Sequence, residues 1–425
     1  METRQQAVTR TRRSRGRQAA VALALLILLA LPAGPAWALN FEEWVQGLTV
    51  TPFLSERMEY ETNVFQTATG AKSSMISRTT PGLLVEYGRG TLQLGAGYKA
   101  EFVEYFNISG QDAVNLSSVV QAKLALAKLQ LLFRDDYVQS TVPPGTELTG
   151  PIQSSTNTLA PTAEYHLTER FSAGANYTWT HIQFPASSSS GGGSSSDETL
   201  QAQQDQSVQQ LDRDEQIGGV TLFWKALPKA DIGLGYQYGT KNFSSTSSNR
   251  NATIQILSGQ LRGDVTSRLS SNFRIGILHR SAVQGAAPDF TGLTMGGGWV
   301  FRLSNRTTFT LDTDRGVQES VFESAQYYIA SSATLGVSQE FTPKISASAK
   351  VAVGTNAYNT KQPVLNGPQM KWRNDGLFGG SLGLDYAIQP WLRAGLEYTY
   401  QQRTSNFSQL NYDDSKFSGR ITVQF

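Results

Sequence analysis

The sequence predicts an all-β fold: a transmembrane antiparallel up-and-down β-barrel of about 18 strands, preceded by a cleavable signal peptide. Three observations predict it. The N-terminus has the order of an export signal, and long segments of period-two alternation then recur to the last residue. No later segment is long and apolar enough for a transmembrane helix, so a membrane-spanning version of this chain has to be a barrel.

The signal comes first. Six arginines (Arg4, Arg10, Arg12, Arg13, Arg15, Arg17) precede the apolar run AAVALALLILLALPAG and the small-x-small sequence Ala36, Trp37, Ala38. This ordering of basic, apolar and cleavage regions sets 1–38 as the signal and starts the barrel domain, 39–425, at Leu39. An N-terminal anchor is the alternative, but the unbroken apolar core is shorter than the roughly 18 residues a spanning helix needs. Removing those arginines and Glu2 from the 36 basic and 34 acidic residues leaves 30 and 33. A slightly acidic mature chain lacks the basic balance of a nucleic-acid binder. The chain has no cysteine, which excludes thiolate metal sites and a cysteine nucleophile.

The strands follow. Leu92, Leu94, Ala96 and Tyr98 alternate with Gln93, Gly95, Gly97 and Lys99; Phe171 to Trp179, Ile232 to Tyr238 and Leu392 to Tyr400 repeat the pattern. Each run of about 12 to 16 residues exceeds the roughly 5 or 6 of a globular strand and suits a tilted membrane wall. Short turns are expected near 88–90, 125–128, 168–170, 226–229, 267–270, 304–306, 342–344 and 389–391. Longer polar loops alternate with them, near 63–74, 107–112, 141–152, 185–210, 244–251, 284–289, 320–324, 359–372 and 406–411. Eight turns and nine loops join 18 strands, an even number, and place both termini on the short-turn, periplasmic side of a Gram-negative outer membrane. A propeller would share the roughly 40-residue turn spacing but needs a blade motif, and none recurs. The stretch 185–210, rich in Ser and Gly, reads as a flexible external loop because hairpins resume on both sides.

The last strand, Lys416–Phe425, puts Phe417, Gly419, Ile421, Val423 and Phe425 on one face. It is expected to close the barrel against the first strand, near Leu48 to Thr62. Phe417, Ile421, Val423 and the terminal Phe425 resemble the signal read by the outer-membrane barrel-assembly machinery.

ERMEYETNVFQ (56–66) and TTPGLLVEYGRGTLQLGAGYKAEFVEYF (79–106), with Asn63-Val64-Phe65, Pro81-Gly82-Leu83 and Tyr98-Lys99-Ala100, resemble the opening of β-barrel porin-2 type outer-membrane proteins. That resemblance implies an 18-stranded barrel, no catalytic residue and, in some members, exopolysaccharide secretion with a periplasmic polysaccharide-export protein as partner.

Enzyme motifs do not fit this setting. Gly379-Gly380-Ser381-Leu382-Gly383 satisfies a hydrolase nucleophile elbow, but it lies inside an alternating strand, where no turn and helix can follow. GAGYKA (95–100) lacks the helix a dinucleotide site needs. Of the three histidines, His181 and His279 fall on the lipid face and His166 inward near a short turn. The pairs Asp135-Asp136 and Asp413-Asp414 alternate faces and read as solvated charge, not as a metal site. No enzyme activity and no cofactor are expected.

Function therefore falls to the lumen. Strands about 4.8 Å apart and tilted by about 40° give 18 of them a diameter on the order of 36 Å, too wide for side chains alone to close. Alternation turns Lys99, Arg134, Lys225, Arg274, Lys350, Arg393, Arg403 and Arg420 inward, facing Glu86, Glu101, Asp136, Asp312, Asp314, Asp385 and Glu397. Near-balanced charge predicts weak ion selectivity. The expectation is a conduit for an exported exopolysaccharide, with a general diffusion porin and a structural or adhesive surface barrel as alternatives.

Overall fold

The computed structural model describes residues 47–142, 147, 149–185, 208–245, 250–283, 288–320, 326–363 and 370–425. The predicted signal peptide, 1–38, and residues 186–207 of the Ser/Gly-rich stretch lie outside the described residues.

Among the described residues, nineteen strand segments form one closed antiparallel sheet. They are β1 Leu48–Glu61, β2 Ser74–Arg89, β3 Leu92–Tyr105, β4 Ala113–Ala125, β5 Leu129–Ser140, β6 Ser154–Leu159, β7 Thr162–His166, β8 Phe171–Gln183, β9 Arg213–Leu227 and β10 Ala230–Phe243. The ring continues through β11 Ala252–Asp264, β12 Leu269–Ala282, β13 Phe290–Arg302, β14 Thr307–Glu319, β15 Tyr327–Thr342, β16 Ile345–Pro363, β17 Met370–Gln389, β18 Leu392–Ser405 and β19 Tyr412–Gln424. Apart from β6 and β7, each pairs with its sequence neighbours, and β1 pairs with β19 to close the ring.

The nineteen segments make 18 staves, because β6 and β7 are halves of one. Both pair with β5 and with β8 in a single unbroken register. The interruption is chemical. Pro161 has no N–H to give the ladder, while its carbonyl still accepts from Tyr177 N at 3.1 Å.

The eight short turns fall where expected, and nine longer connections occupy the other end of the barrel. One loop is shorter than the sequence implies. The polar stretch 359–372 reads as a loop, yet β16 runs on to Pro363 and β17 resumes at Met370, giving strands of 19 and 20 residues. Lys361↔Trp372 and Gln362↔Lys371 continue the ladder past a register shift after Ala357. Backbone hydrogen bonding overrides the polar side chains once this hairpin stands clear of the membrane belt.

A 13-residue stave rising roughly 3.4 Å per residue and tilted about 40° spans roughly 34 Å, enough for the roughly 30 Å hydrocarbon layer. The exposed apolar residues confirm which face meets it. Leu94, Tyr98 and Phe102 on β3, Val220, Leu222 and Trp224 on β9, and Leu382, Leu384 and Tyr386 on β17 are all exposed at alternate positions. An apolar outer band is the lipid-facing signature of a barrel. Gly297, on β13 with a φ of +107°, sits against the Asn272 carbonyl, where a Cβ could not fit.

The buried apolar clusters gather at the long-loop end. Val64, Ile76, Val103 and Tyr105 form one beside β1–β3. Ile152, Phe184, Val208, Leu211 and Phe243 form another, and Ile254, Ile256, Leu278, Val317 and Tyr327 a third. Inner-wall residues can be this buried only if something fills the lumen there.

Candidate functional site

The ladders put the 15 charged residues singled out from the sequence, Glu86 opposite Gly95 among them, on the face opposite the exposed apolar band. Lys99 lies between Gly82 and Ser117, Lys350 between Gly336 and Ser381, and Glu397 between Gly383 and Ser418. Asp312 and Asp314 face Gly298 and Gly296, Lys225 faces Asp231, and Arg393 faces Thr422. Among the described residues, none of these seven predicted charges makes an ion pair, and Lys99, Lys225, Asp312, Asp314, Lys350, Arg393 and Glu397 stand exposed in the lumen. Two predicted pairs do meet. Arg134 grips Asp136 through two nitrogens at 2.5 and 2.7 Å, and Arg420 donates to Asp385 at 2.9 Å. Arg274 donates to Gln237 at 3.0 Å, and Glu101 accepts from Asn115 at 2.8 Å and from Arg78 at 3.3 Å.

Two segments leave the wall and enter this lumen. The first is the end of the β14–β15 hairpin. The β13–β14 ladder stops at Met295↔Arg315, while β14–β15 continues to Glu319↔Tyr327. Released from β13, the hairpin bends inward. Val317 and Glu319 share the register of lipid-facing Leu311, yet Val317 packs on the inner-wall residues Ile254, Ile256 and Leu278. Glu319 lies 3.2 Å from Lys241 and 3.5 Å from Arg280.

The second segment is the β5–β6 connection. Its Glu147 carboxylate accepts from the Ser320 hydroxyl at 2.6 Å, and its main-chain carbonyl accepts from Arg403 Nη1 at 2.9 Å. Arg250 donates to the Ser320 carbonyl at 2.5 Å. With β6 and β7 counted as one, β5 and β14 are eight staves apart in a ring of 18, so the two segments meet across the bore.

Charge and aromatic rings line the junction. Arg373 holds Asp375 through Nη2 at 2.6 Å and Nε at 3.0 Å, with both side chains fully buried. The Arg373 guanidinium lies 4.3 Å from the Tyr358 ring centroid, and Tyr358 stacks on Tyr328 at 5.2 Å. Arg403 lies over Tyr412 at 4.8 Å. Such contacts satisfy guanidinium groups on both edge and face, which permits their burial.

Of the residues at this junction, sequence reasoning found only Arg403. It missed Glu147, Ser320, Glu319, Arg280, Arg373 and Asp375, because alternation assigns a face within a flat wall and carries no information about a hairpin that leaves it. The available signal was Glu319 itself, a carboxylate at a position whose register predicts contact with lipid. Two of the three histidines face away from the bore: His181 on the outer face bonds Asp214 at 2.8 Å, and His279 bonds Thr291 at 2.7 Å, while His166 pairs with Ser172 on the inner face beside a short turn. Ser381 is an inward mid-strand residue opposite Lys350 and Thr399, with no elbow around it.

Residues 46–425 match the sequence profile of the family described as "Putative beta-barrel porin 2". The chain belongs to this porin family. Members are outer-membrane β-barrel channels, so the protein is a porin-type channel of the Gram-negative outer membrane. No curated protein matches the chain. Among solved structures it is similar to OpdK from Pseudomonas aeruginosa, determined with vanillate, at 11% identity over 88% of this chain and 99% of that one, with a TM-score of 0.46. OccAB3 from Acinetobacter baumannii aligns at 9% identity over 88% and 99%, TM-score 0.46. OpdQ from Pseudomonas aeruginosa aligns at 11% over 90% and 100%, TM-score 0.45.

Proposed function

We propose that this porin-family barrel is a closable conduit through which a secreted polysaccharide crosses the outer membrane. The short-turn end and both termini face the periplasm, where an export protein delivers the polymer. The observation that carries this reading is the junction of Glu147 with Ser320. A barrel on the order of 36 Å across would leak if open, and here segments from nearly opposite walls meet in the bore through their side chains. An exporter must be shut when no polymer is present, whereas a diffusion porin works by standing open.

The chemistry at the junction suits sugars. Tyr328 and Tyr358 offer ring faces, and Arg373 and Asp375 are planar groups able to bond adjacent hydroxyls once the segments part. In the wider lumen the signs of the exposed charges are mixed, which favours a chain that touches the wall through many weak hydrogen bonds. A second reading, uptake of small hydrophilic solutes, draws support from the same exposed charges, Lys99, Lys225, Asp312, Asp314 and Lys350, which line a wet wall away from the junction.

Deletion of the gene separates the two readings. Loss of surface polysaccharide with unchanged small-solute uptake is the expected result; retained polysaccharide with impaired uptake would favour the solute porin.

A further inference from the structure

Arg280 is a buried cation whose nitrogens have no hydrogen-bond partner. Its side chain on β12 has no solvent exposure, and its guanidinium lies 4.7 Å from the Tyr327 ring centroid and 3.5 Å from Glu319. None of its three nitrogens makes a hydrogen bond, and neither does either Glu319 oxygen. Lys241, 3.2 Å from Glu319, is shared with Glu215, which Arg213 also holds at 2.6 Å. Arg213, Glu215, Lys241, Glu319 and Arg280 thus run as alternating charges with one positive charge in excess.

A guanidinium prefers two parallel N–H···O bonds to a single carboxylate, and a buried one lacking them is destabilised relative to any state that supplies them. Glu319 cannot turn to supply them. Its backbone is fixed by the ladder with Tyr327, and Val317 two residues earlier is packed against the wall. A carboxylate arriving from the lumen carries no such constraint.

We propose that Arg280 and Lys241 form a receptor for the carboxylate of an acidic sugar, which takes the place of Glu319 and unfastens the β14–β15 hairpin. Glu319 is then an internal occupant of the site in the resting barrel. Because Ser320 follows Glu319 directly, movement of the hairpin end also parts Ser320 from Glu147. Binding at Arg280 is independent of what the channel carries; its coupling to opening rests on the closed-conduit reading above.

The experiment uses the full mature barrel, with glucuronate as probe and glucose as its neutral counterpart. Calorimetry in detergent reads binding, and planar-bilayer recording reads conductance. Glucuronate is expected to bind saturably and raise mean conductance severalfold, and glucose to do neither. Arg280→Lys keeps the charge but loses the fork, and should weaken glucuronate binding by about tenfold or more, the cost of one charge-assisted hydrogen bond. Glu319→Gln removes the competing carboxylate; it should tighten glucuronate binding and raise conductance without ligand. Heat-modifiable gel mobility confirms that each variant is folded. Absence of glucuronate binding, equal binding of glucose, an unchanged affinity in Arg280→Lys, or, in a barrel of low resting conductance, binding without a conductance change would each overturn the proposal. A wild-type barrel already fully conducting without ligand would contradict the closed-conduit reading instead, and the calorimetry would still decide the site.

Discussion

The Glu147 carboxylate and the Ser320 hydroxyl are 2.6 Å apart, although the strands they follow, β5 and β14, lie eight staves away from each other in an 18-stave ring. That one bond ties a loop from one wall to a hairpin from the other. Arg250 and Arg403 brace it by donating to the Ser320 and Glu147 carbonyls. Two segments thus meet inside a lumen too wide for side chains to span from the wall, and their contact is polar, made of hydrogen bonds that water can replace.

Replacing Glu147 by Ala should therefore open the channel. A hydrogen bond to a charged group contributes about 1.5 to 3 kcal/mol, so its loss should shift the closed-to-open balance by about tenfold to a hundredfold. Single-channel recording reads this as a rise in open probability. The folded yield should stay near wild type, because Glu147 holds no part of the wall ladder.

Arg373→Met should behave differently. It leaves Asp375 buried without its bidentate partner, a change that costs about 3 to 5 kcal/mol in comparable buried pairs. The temperature at which the heat-modified band appears should fall. Adding Asp375→Asn should recover part of the loss, since the uncompensated charge is gone; a double variant no more stable than the single one would show that Asp375 is not the cause.

The wall is expected to tolerate Ser381→Ala. Ser381 faces Lys350 across the ladder within β17 and has no elbow geometry, so conductance and yield should be unchanged. Covalent labelling of Ser381 by a serine-directed probe would contradict a strand role.

Asp212 gives a pH-dependent prediction at the base of the β8–β9 connection. Its carboxylate accepts from the Phe184 amide at 2.7 Å, and burial raises its pKa above the ordinary value. A carboxylate raised in the folded state favours that state when protonated, so the docking of Phe184 and Leu211 should weaken as pH rises through that raised value. Asp212→Asn keeps the acceptor without the charge. It should slow amide exchange at Phe184 at neutral pH and flatten its pH dependence.

Assembly should depend on the C-terminal residue. Phe425 N donates to the Pro52 carbonyl at 3.1 Å, and its ring lies on the outer face in line with Phe417 and Ile421. Deleting Phe425 removes both without touching the lumen. The heat-modifiable folded band in membranes should drop more than for any lumen substitution.

The wall was legible in the sequence because lipid on one side and water on the other force a period-two pattern on every stave. Tyr98 against Lys99 and Leu396 against Glu397 are enough to assign faces, and the short-turn and long-loop rhythm counts the staves. The junction was not legible. Val317 and Glu319 obey the same alternation as Leu311, and only the end of the β13–β14 ladder at Arg315 tells that the hairpin has left the wall. Arg373 and Asp375 likewise read as ordinary inward charges or loop residues, since their burial depends on a segment, around Glu147, more than 200 positions away in the chain.

Closure by two meeting segments is tested most directly by joining them. The chain has no cysteine, so Glu147→Cys with Ser320→Cys can be bridged by a short reducible bis-thiosulfonate linker without side reactions. Single-channel conductance is then recorded before and after reductant on the same bilayer. The account predicts a barrel held at its low-conductance level while bridged, and an immediate rise to frequent opening once the bridge is reduced. Full conductance through the bridged protein would contradict it, because the path would then run elsewhere than between Glu147 and Ser320.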